Sequence, residues 1–128
     1  MVTWDHTITM GNTKKTFNLK DFSKGWFVGN FDKSIIKTSD VEVAVKEYKA
    51  GDYESFHHHR IATEITCILE GEVEMDGNRY TEGDIILIKP FEATDFKAIT
   101  NTKNLVVKYP GPSNDKYQGK YEADSTQR

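Results

Sequence analysis

Apolar residues recur at every second position in short runs along this chain, and glycine, aspartate and asparagine separate the runs. This alternation is typical of strands, because successive side chains of a strand point to opposite faces. The clearest case is the segment 41–49, which ends in a group of turn residues, Ala50-Gly51-Asp52. Further strands are predicted at residues 64–69, 72–75, 79–81, 84–88, 94–99 and 105–109, and Asp76-Gly77 predicts a hairpin. The pattern predicts an all-β fold, a single-domain jelly-roll β-barrel.

The length of the chain and the distribution of its polar residues suggest three parts around one barrel. A chain of 128 residues has the size of a single domain, and the predicted strands place the barrel core at residues 41–110. Residues 1–40 give weaker strand signals but include Trp26, Phe27 and Phe31, so we expect a covering segment packed on the barrel. Residues 111–128 are polar, so we expect a loosely held tail.

Two of the predicted strands are apolar on both faces, at residues 65–69 and 85–88. Strands of this kind leave little for water on either side, so the outside of the barrel must be covered. The N-terminal aromatic segment could cover it within one chain, or a second subunit could do so in a symmetric dimer. We favour the homodimer.

Charge and cysteine content exclude several kinds of partner. The net charge of −3 and the sequence pI near 5.8 do not provide the basic face that nucleic-acid binding needs, so we expect small-molecule partners. No stretch has the length and apolar character of a membrane span. Cys67 is the only cysteine, and the first residues lack the pattern of a signal peptide, so we expect a cytoplasmic protein.

Two histidines followed by a glutamate give the strongest indication of chemistry. His57 and His59 are two residues apart, which places both imidazoles on the same face of a strand, and Glu64 can return on the neighbouring strand. Two neutral imidazoles and one carboxylate suit iron(II) and related divalent metals and leave coordination positions open for water or substrate. His58 faces the other way and is expected at the surface or in packing. The alternative is an exposed histidine cluster that binds metal only adventitiously.

The spacing of this segment resembles the first motif of the cupins. That motif is a glycine, five residues, His-x-His, three or four residues, a glutamate, six residues and a glycine. Gly51, His57, His59, Glu64 and Gly71 match it. The resemblance covers residues 41–109 and implies a divalent metal ion, iron, manganese, zinc or nickel, bound by the two histidines and the glutamate.

The second cupin motif is matched less well. The family has a glycine, Pro-x-Gly, a histidine and an asparagine there, whereas this chain has Gly83, Pro90, Glu92, Asp95 and Ile99. Asp95 therefore stands where the family has its third histidine. It either completes a site of two histidines and two carboxylates, which favours harder ions such as manganese or iron, or lies nearby and leaves three protein ligands.

Strand parity predicts further side chains of the cavity. Those sharing the parity of a candidate ligand are Tyr53 and Ser55 with His57, and Thr66 and Ile68 with Glu64. Lys97 shares the parity of Asp95 and could enter the cavity, but we favour a solvated lysine at a strand end.

The resemblance implies a metal-dependent enzyme acting on a small polar metabolite. Isomerases, dioxygenases and lyases all occur among cupins, so the fold does not choose the reaction. The alternative is a non-catalytic module that binds or senses a sugar or other small ligand and uses the metal as a structural clamp. A cupin that has lost its metal is a third interpretation.

Overall fold

The computed structural model describes residues 14–122 and contains two five-stranded antiparallel sheets. Two short 3-10 turns, Leu19–Asp21 and Ser23–Gly25, precede the strands. The strands are β1 (Trp26–Val28), β2 (Glu42–Tyr48), β3 (Tyr53–His58), β4 (Thr63–Glu70), β5 (Glu72–Met75), β6 (Asn78–Thr81), β7 (Ile85–Ile88), β8 (Ala93–Ala98), β9 (Thr102–Tyr109) and β10 (Tyr117–Gln118). The first sheet has the order β1-β2-β9-β4-β7 and the second β10-β3-β8-β5-β6. The all-β jelly-roll prediction is confirmed.

The predicted strands agree with the structure to within three residues at each end. The largest difference is at β9, which begins at Thr102 rather than at residue 105. No ranges were predicted for β1, β3 and β10. No helix within residues 14–122 has the length and apolar character needed to cross a membrane.

An apolar core fills one end of the space between the sheets. Its buried members come from both sheets and are Ile68, Val73, Met75, Phe96 and Ala98. Along β4, the inward side chains change from the fully buried Ile68 through Thr66 to Glu64. The core therefore closes one end of the sandwich, and polar side chains remain to line a cavity at the other end.

The outer face of the first sheet stays apolar and open to solvent among the described residues. Ile65, Ile85 and Leu87 are 40%, 69% and 55% exposed. The described part of the predicted covering segment lies elsewhere, because β1 is the edge strand that pairs with β2, and residues 18–20 and 22–26 line the cavity. Residues 1–13 of that segment lie outside the described residues.

The start of the C-terminal segment is held tightly, which corrects the prediction of a loose tail as far as the structure describes it. Asp115 is only 6% exposed, and its carboxylate accepts hydrogen bonds from the backbone N–H groups of Arg60, Ile61 and Ala62 at 2.9–3.2 Å. Strand β10 then pairs with β3. A polar composition concealed these contacts because they use one carboxylate and the backbone rather than apolar anchors.

Candidate metal centre

The two predicted histidine ligands and the glutamate face one cavity from opposite sheets. His57 lies near the end of β3, His59 follows that strand directly, and Glu64 is the second residue of β4. All three line a cavity of about 950 Å³ between the sheets. The short connection 59–62 joins the sheets at this point, so local chain geometry brings the three side chains to the same cavity.

The two imidazoles lie next to each other, and in both rings it is Nδ1 that lies near an oxygen atom. Their ring centroids are 5.6 Å apart, and the rings are nearly perpendicular. His57 Nδ1 lies 3.2 Å from the carbonyl oxygen of Ser55, and donation from this nitrogen leaves Nε2 free as a ligand. His59 Nδ1 lies 3.8 Å from Glu64 Oε1, whereas its Nε2 is buried and has no hydrogen-bond partner within residues 14–122. Thr66 Oγ1 donates to Glu64 Oε2 at 2.9 Å and orients that carboxylate.

Burial keeps both imidazoles in the form that binds metals. Burial lowers the pKa of His59 to about 4, and the nearby positive charges of Lys108 and His57 act in the same direction. Burial also lowers the pKa of His57 below its ordinary value, although the Ser55 carbonyl opposes the shift. Both rings are therefore neutral at pH 7, as metal ligands must be.

The ligand types fit a divalent metal, although the three side chains do not converge closely enough to enclose an ion. No three His, Cys, Asp or Glu side chains within residues 14–122 lie in an arrangement that encloses an ion. A buried, unpaired imidazole nitrogen nevertheless costs about 1–3 kcal/mol, and such groups are rare in folded proteins. Coordination by His59 Nε2 would remove that cost. Two neutral imidazoles and a carboxylate are the donors that iron, manganese, zinc and nickel accept.

Asp95 does not line the cavity that His57, His59 and Glu64 share. Its Oδ1 accepts a hydrogen bond from the backbone N–H of Asp76 at 2.8 Å, and its Oδ2 accepts one from Tyr53 at 3.1 Å. Along β8, its neighbours Thr94 and Phe96 line the cavity instead. Alternation along the strand therefore turns Asp95 to the outer face.

A β-bulge explains why the cavity prediction for β3 was wrong. The pairing register of β3 with β8 shifts between Glu54 and His57, and an extra residue in a strand reverses the parity beyond it. Glu54 consequently lines the cavity with His57, while Tyr53 and Ser55 are exposed. On β4, Thr66 lines the cavity as predicted, whereas Ile68 belongs to the apolar core. Lys97 is exposed, like a solvated strand lysine.

His58, expected at the surface or in packing, is a packed and buried residue. It is 2% exposed, its Nδ1 lies 2.8 Å from the Gly119 carbonyl oxygen, and Arg60 Nε donates to its Nε2 at 3.2 Å. Its ring stacks on Tyr117 with centroids 5.5 Å apart. His58 therefore joins the C-terminal segment to β3 and is not available to the cavity.

A second polar cluster in the cavity was missed by the sequence analysis. Glu54 Oε2 accepts hydrogen bonds from Tyr48 Oη at 3.1 Å and Lys46 Nζ at 3.3 Å. Burial and the adjacent Glu54 raise the pKa of Tyr48 far above its ordinary value, so the phenol stays protonated. Burial alone would raise the pKa of Glu54, but Lys46 and Tyr48 outweigh it, and the net shift is downward.

Asn104 completes the polar lining of this part of the cavity. It is 2% exposed and lies opposite Lys46 in the β2–β9 pair, and its Oδ1 has no hydrogen-bond partner among the described residues. The available signal was the alternation of β2, in which Glu42, Lys46 and Tyr48 share one parity while Val43 and Val45 take the other. The outer face of this sheet is also apolar, so alternation alone did not tell the inside from the outside.

Comparisons with known proteins identify the fold. No protein-family model and no curated protein matches the sequence. A double-stranded β-helix protein of Klebsiella pneumoniae superposes with a TM-score of 0.62 at 17% identity, covering 85% of this chain and 100% of that one. The DMSP lyase DddQ of Ruegeria pomeroyi gives 0.61 at 19% identity, with 85% and 62% covered. A sugar phosphate isomerase of the cupin superfamily from Silicibacter pomeroyi gives 0.57 at 21%, with 65% and 59% covered. The chain has the cupin fold, as predicted.

Proposed function

We propose that this protein is a metal-binding cupin that acts on a small polar metabolite, with the metal held by His57, His59 and Glu64. The observation that carries the proposal is the buried Nε2 of His59, which has no hydrogen-bond partner in the described part of the chain and lies in a cavity that the other two residues also line. A divalent ion such as iron, manganese, zinc or nickel would polarise an oxygen of the bound molecule or activate water. The cavity of about 950 Å³ has room for a small metabolite.

The second polar cluster supports an enzymatic role because it can hold and move protons. The Tyr48 hydroxyl carries a proton at pH 7, and the Glu54 carboxylate that accepts its hydrogen bond is ionised. Lys46 holds the carboxylate in place from the other side. A paired acid and base in one cavity can carry out general acid–base catalysis. A lyase and an isomerase share this fold, which agrees with catalysis but leaves the reaction type open.

Metal titration of the untagged protein tests the proposal. The metal-free protein should take up close to one equivalent of iron(II), manganese, zinc or nickel, measured by calorimetry and elemental analysis. His59→Ala should abolish uptake and Glu64→Gln should weaken it, because each variant removes a donor. Asp95→Ala is the matched control and should leave uptake unchanged. Stoichiometric uptake that survives His59→Ala would refute the proposed site, as would a wild-type protein that binds none of the four metals.

We also propose that the protein is a homodimer formed through the outer face of the first sheet. The exposed side chains of Ile65, Ile85 and Leu87 support this, because monomers rarely leave several neighbouring apolar side chains open to water. Sedimentation should show a dimer that Ile85→Lys converts to a monomer, whereas Ile36→Lys, at another exposed position, should not. A monomeric wild-type protein would refute the proposal.

The single cysteine, which cannot form an internal disulfide, agrees with a cytoplasmic location.

A further inference from the structure

A largely enclosed lysine that makes no hydrogen bond among residues 14–122 lies beside the candidate metal ligands. Lys108 is the cross-strand neighbour of Glu64 in the β4–β9 pair, and its side chain is only 18% exposed. The nearest carboxylate oxygen in ion-pair range, Glu42 Oε1, is 3.9 Å from Nζ, too far for a hydrogen bond. The ring centroid of Trp26 lies 4.9 Å from the same nitrogen. Glu64 and Glu42 attract the ammonium, but it makes no hydrogen bond to either within residues 14–122, so its donors remain for a bound anion.

Lys116 adds a second positive charge at the same place. Lys108, Lys116 and His59 line both the main cavity and a smaller one of about 340 Å³, so the two lysines stand where the cavities meet. Their charges reach the histidine: after burial, Lys108 contributes most to the lowered pKa of His59, and Lys116 acts in the same direction. A metal held by two neutral imidazoles and one carboxylate would make this region more positive still.

We propose that Lys108 and Lys116 bind the anionic group of the metabolite, a carboxylate or a phosphate, next to the metal. The inference rests on the proposed function for the position of the metal, but the lysines themselves do not depend on it. An ammonium is a point charge with three donors, so it pairs with either anion. The substrate class is then a small organic anion rather than a neutral sugar.

Calorimetric titration with simple anions tests this inference. Malonate, its neutral analogue malonamide, and inorganic phosphate are titrated into the metal-free and then the manganese-loaded protein. At least one anion should bind both forms, and malonamide should bind neither. Lys108→Gln should weaken anion binding about tenfold or more, since a charge-assisted hydrogen bond is lost. Lys108→Arg should retain it, and the preference between malonate and phosphate identifies the anionic group.

The matched control is Lys103→Gln, which changes a lysine on the opposite face of the same strand. Lys103 is paired with Glu47 and Glu70 at 3.7 and 3.6 Å, so its loss should leave anion binding unchanged. Anion binding that appears only with manganese and ignores Lys108→Gln would overturn the inference, because the metal alone would then be the anion site. Absence of binding at tens of millimolar anion would also overturn it. A protein that takes up no manganese yet binds malonate through Lys108 would refute the metal proposal and support the anion site.

Discussion

Replacing Asp115 with alanine should loosen the connection between the two sheets that carries the candidate ligands. The Asp115 carboxylate accepts backbone hydrogen bonds from Arg60 at 3.0 Å, from Ile61 at 3.2 Å and from Ala62 at 2.9 Å. These three residues lie between His59 and Glu64. One side chain from the C-terminal segment therefore fixes the backbone that spaces the two ligands.

The size of the loss in unfolding free energy depends on which of the three backbone N–H groups water can reach. Arg60 and Ile61 are exposed, so their N–H groups can bond to water after the substitution, whereas Ala62 is 1% exposed and cannot. A hydrogen bond to a charged acceptor contributes about 1.5–3 kcal/mol, and a buried donor left unpaired loses a similar amount. We expect Asp115→Ala to lower the free energy of unfolding by about 3 kcal/mol, a large fraction of the stability of a small domain.

Urea denaturation followed by circular dichroism measures this loss, and manganese titration measures the effect on the site. Manganese affinity should fall about tenfold, the usual effect of removing a group that orients metal ligands. Asp115→Asn keeps one acceptor oxygen and should lie between the wild type and the alanine variant. Asp32→Ala, at a fully exposed position, should leave the denaturation midpoint unchanged. A loss below about 1 kcal/mol for Asp115→Ala would refute the reasoning, because the three bonds would then be replaced by solvent.

Three further predictions follow from the same structure. Burial raises the pKa of Asp115, but its three backbone donors lower the pKa more. The ionised Asp115 therefore stabilises the fold fully above the ordinary carboxyl pKa, and this contribution is lost as the pH falls. Urea midpoints of the wild type should accordingly drop more steeply in acid than those of Asp115→Asn. Because the pKa of His59 is about 4, metal affinity should persist to about pH 5, and a tenfold loss in calorimetry between about pH 7 and pH 6 would contradict this. Gly71 and Gly83 have φ of +94° and +92°, but a Cβ would clash with the Asn101 carbonyl oxygen at Gly71 and would meet open space at Gly83. Gly71→Ala should therefore cost about 1–3 kcal/mol more than Gly83→Ala in urea denaturation, and equal losses would contradict the clash.

The features that could be predicted from the sequence depend on local spacing. Alternation located the strands because side-chain direction repeats every two residues. The interval from His57 to Glu64 spans a strand end, a short connection and the start of the next strand, so the chain itself brings these side chains to one cavity. The fold and this part of the site therefore followed from residues close together in the sequence.

The features that could not be predicted depend on register or on distant residues. The bulge between Glu54 and His57 reversed the parity of β3, and no residue pattern near it signalled an extra residue. The hydrogen bonds of Asp115 join positions more than fifty residues apart. The outward direction of Asp95 depends on which face of β8 meets the first sheet, and alternation alone cannot supply that choice.

The candidate ligands join both layers of the sandwich: His57 lies on β3 of the second sheet, His59 directly follows that strand, and Glu64 lies on β4 of the first sheet. An ion bound to all three would be a removable cross-link between two surfaces otherwise held by side-chain packing and a short connection. Its loading would add stability in proportion to the logarithm of the free ion concentration and slow amide exchange in β3 and β4 together. The resistance of the barrel to local opening would thus vary with the concentration of free metal around it.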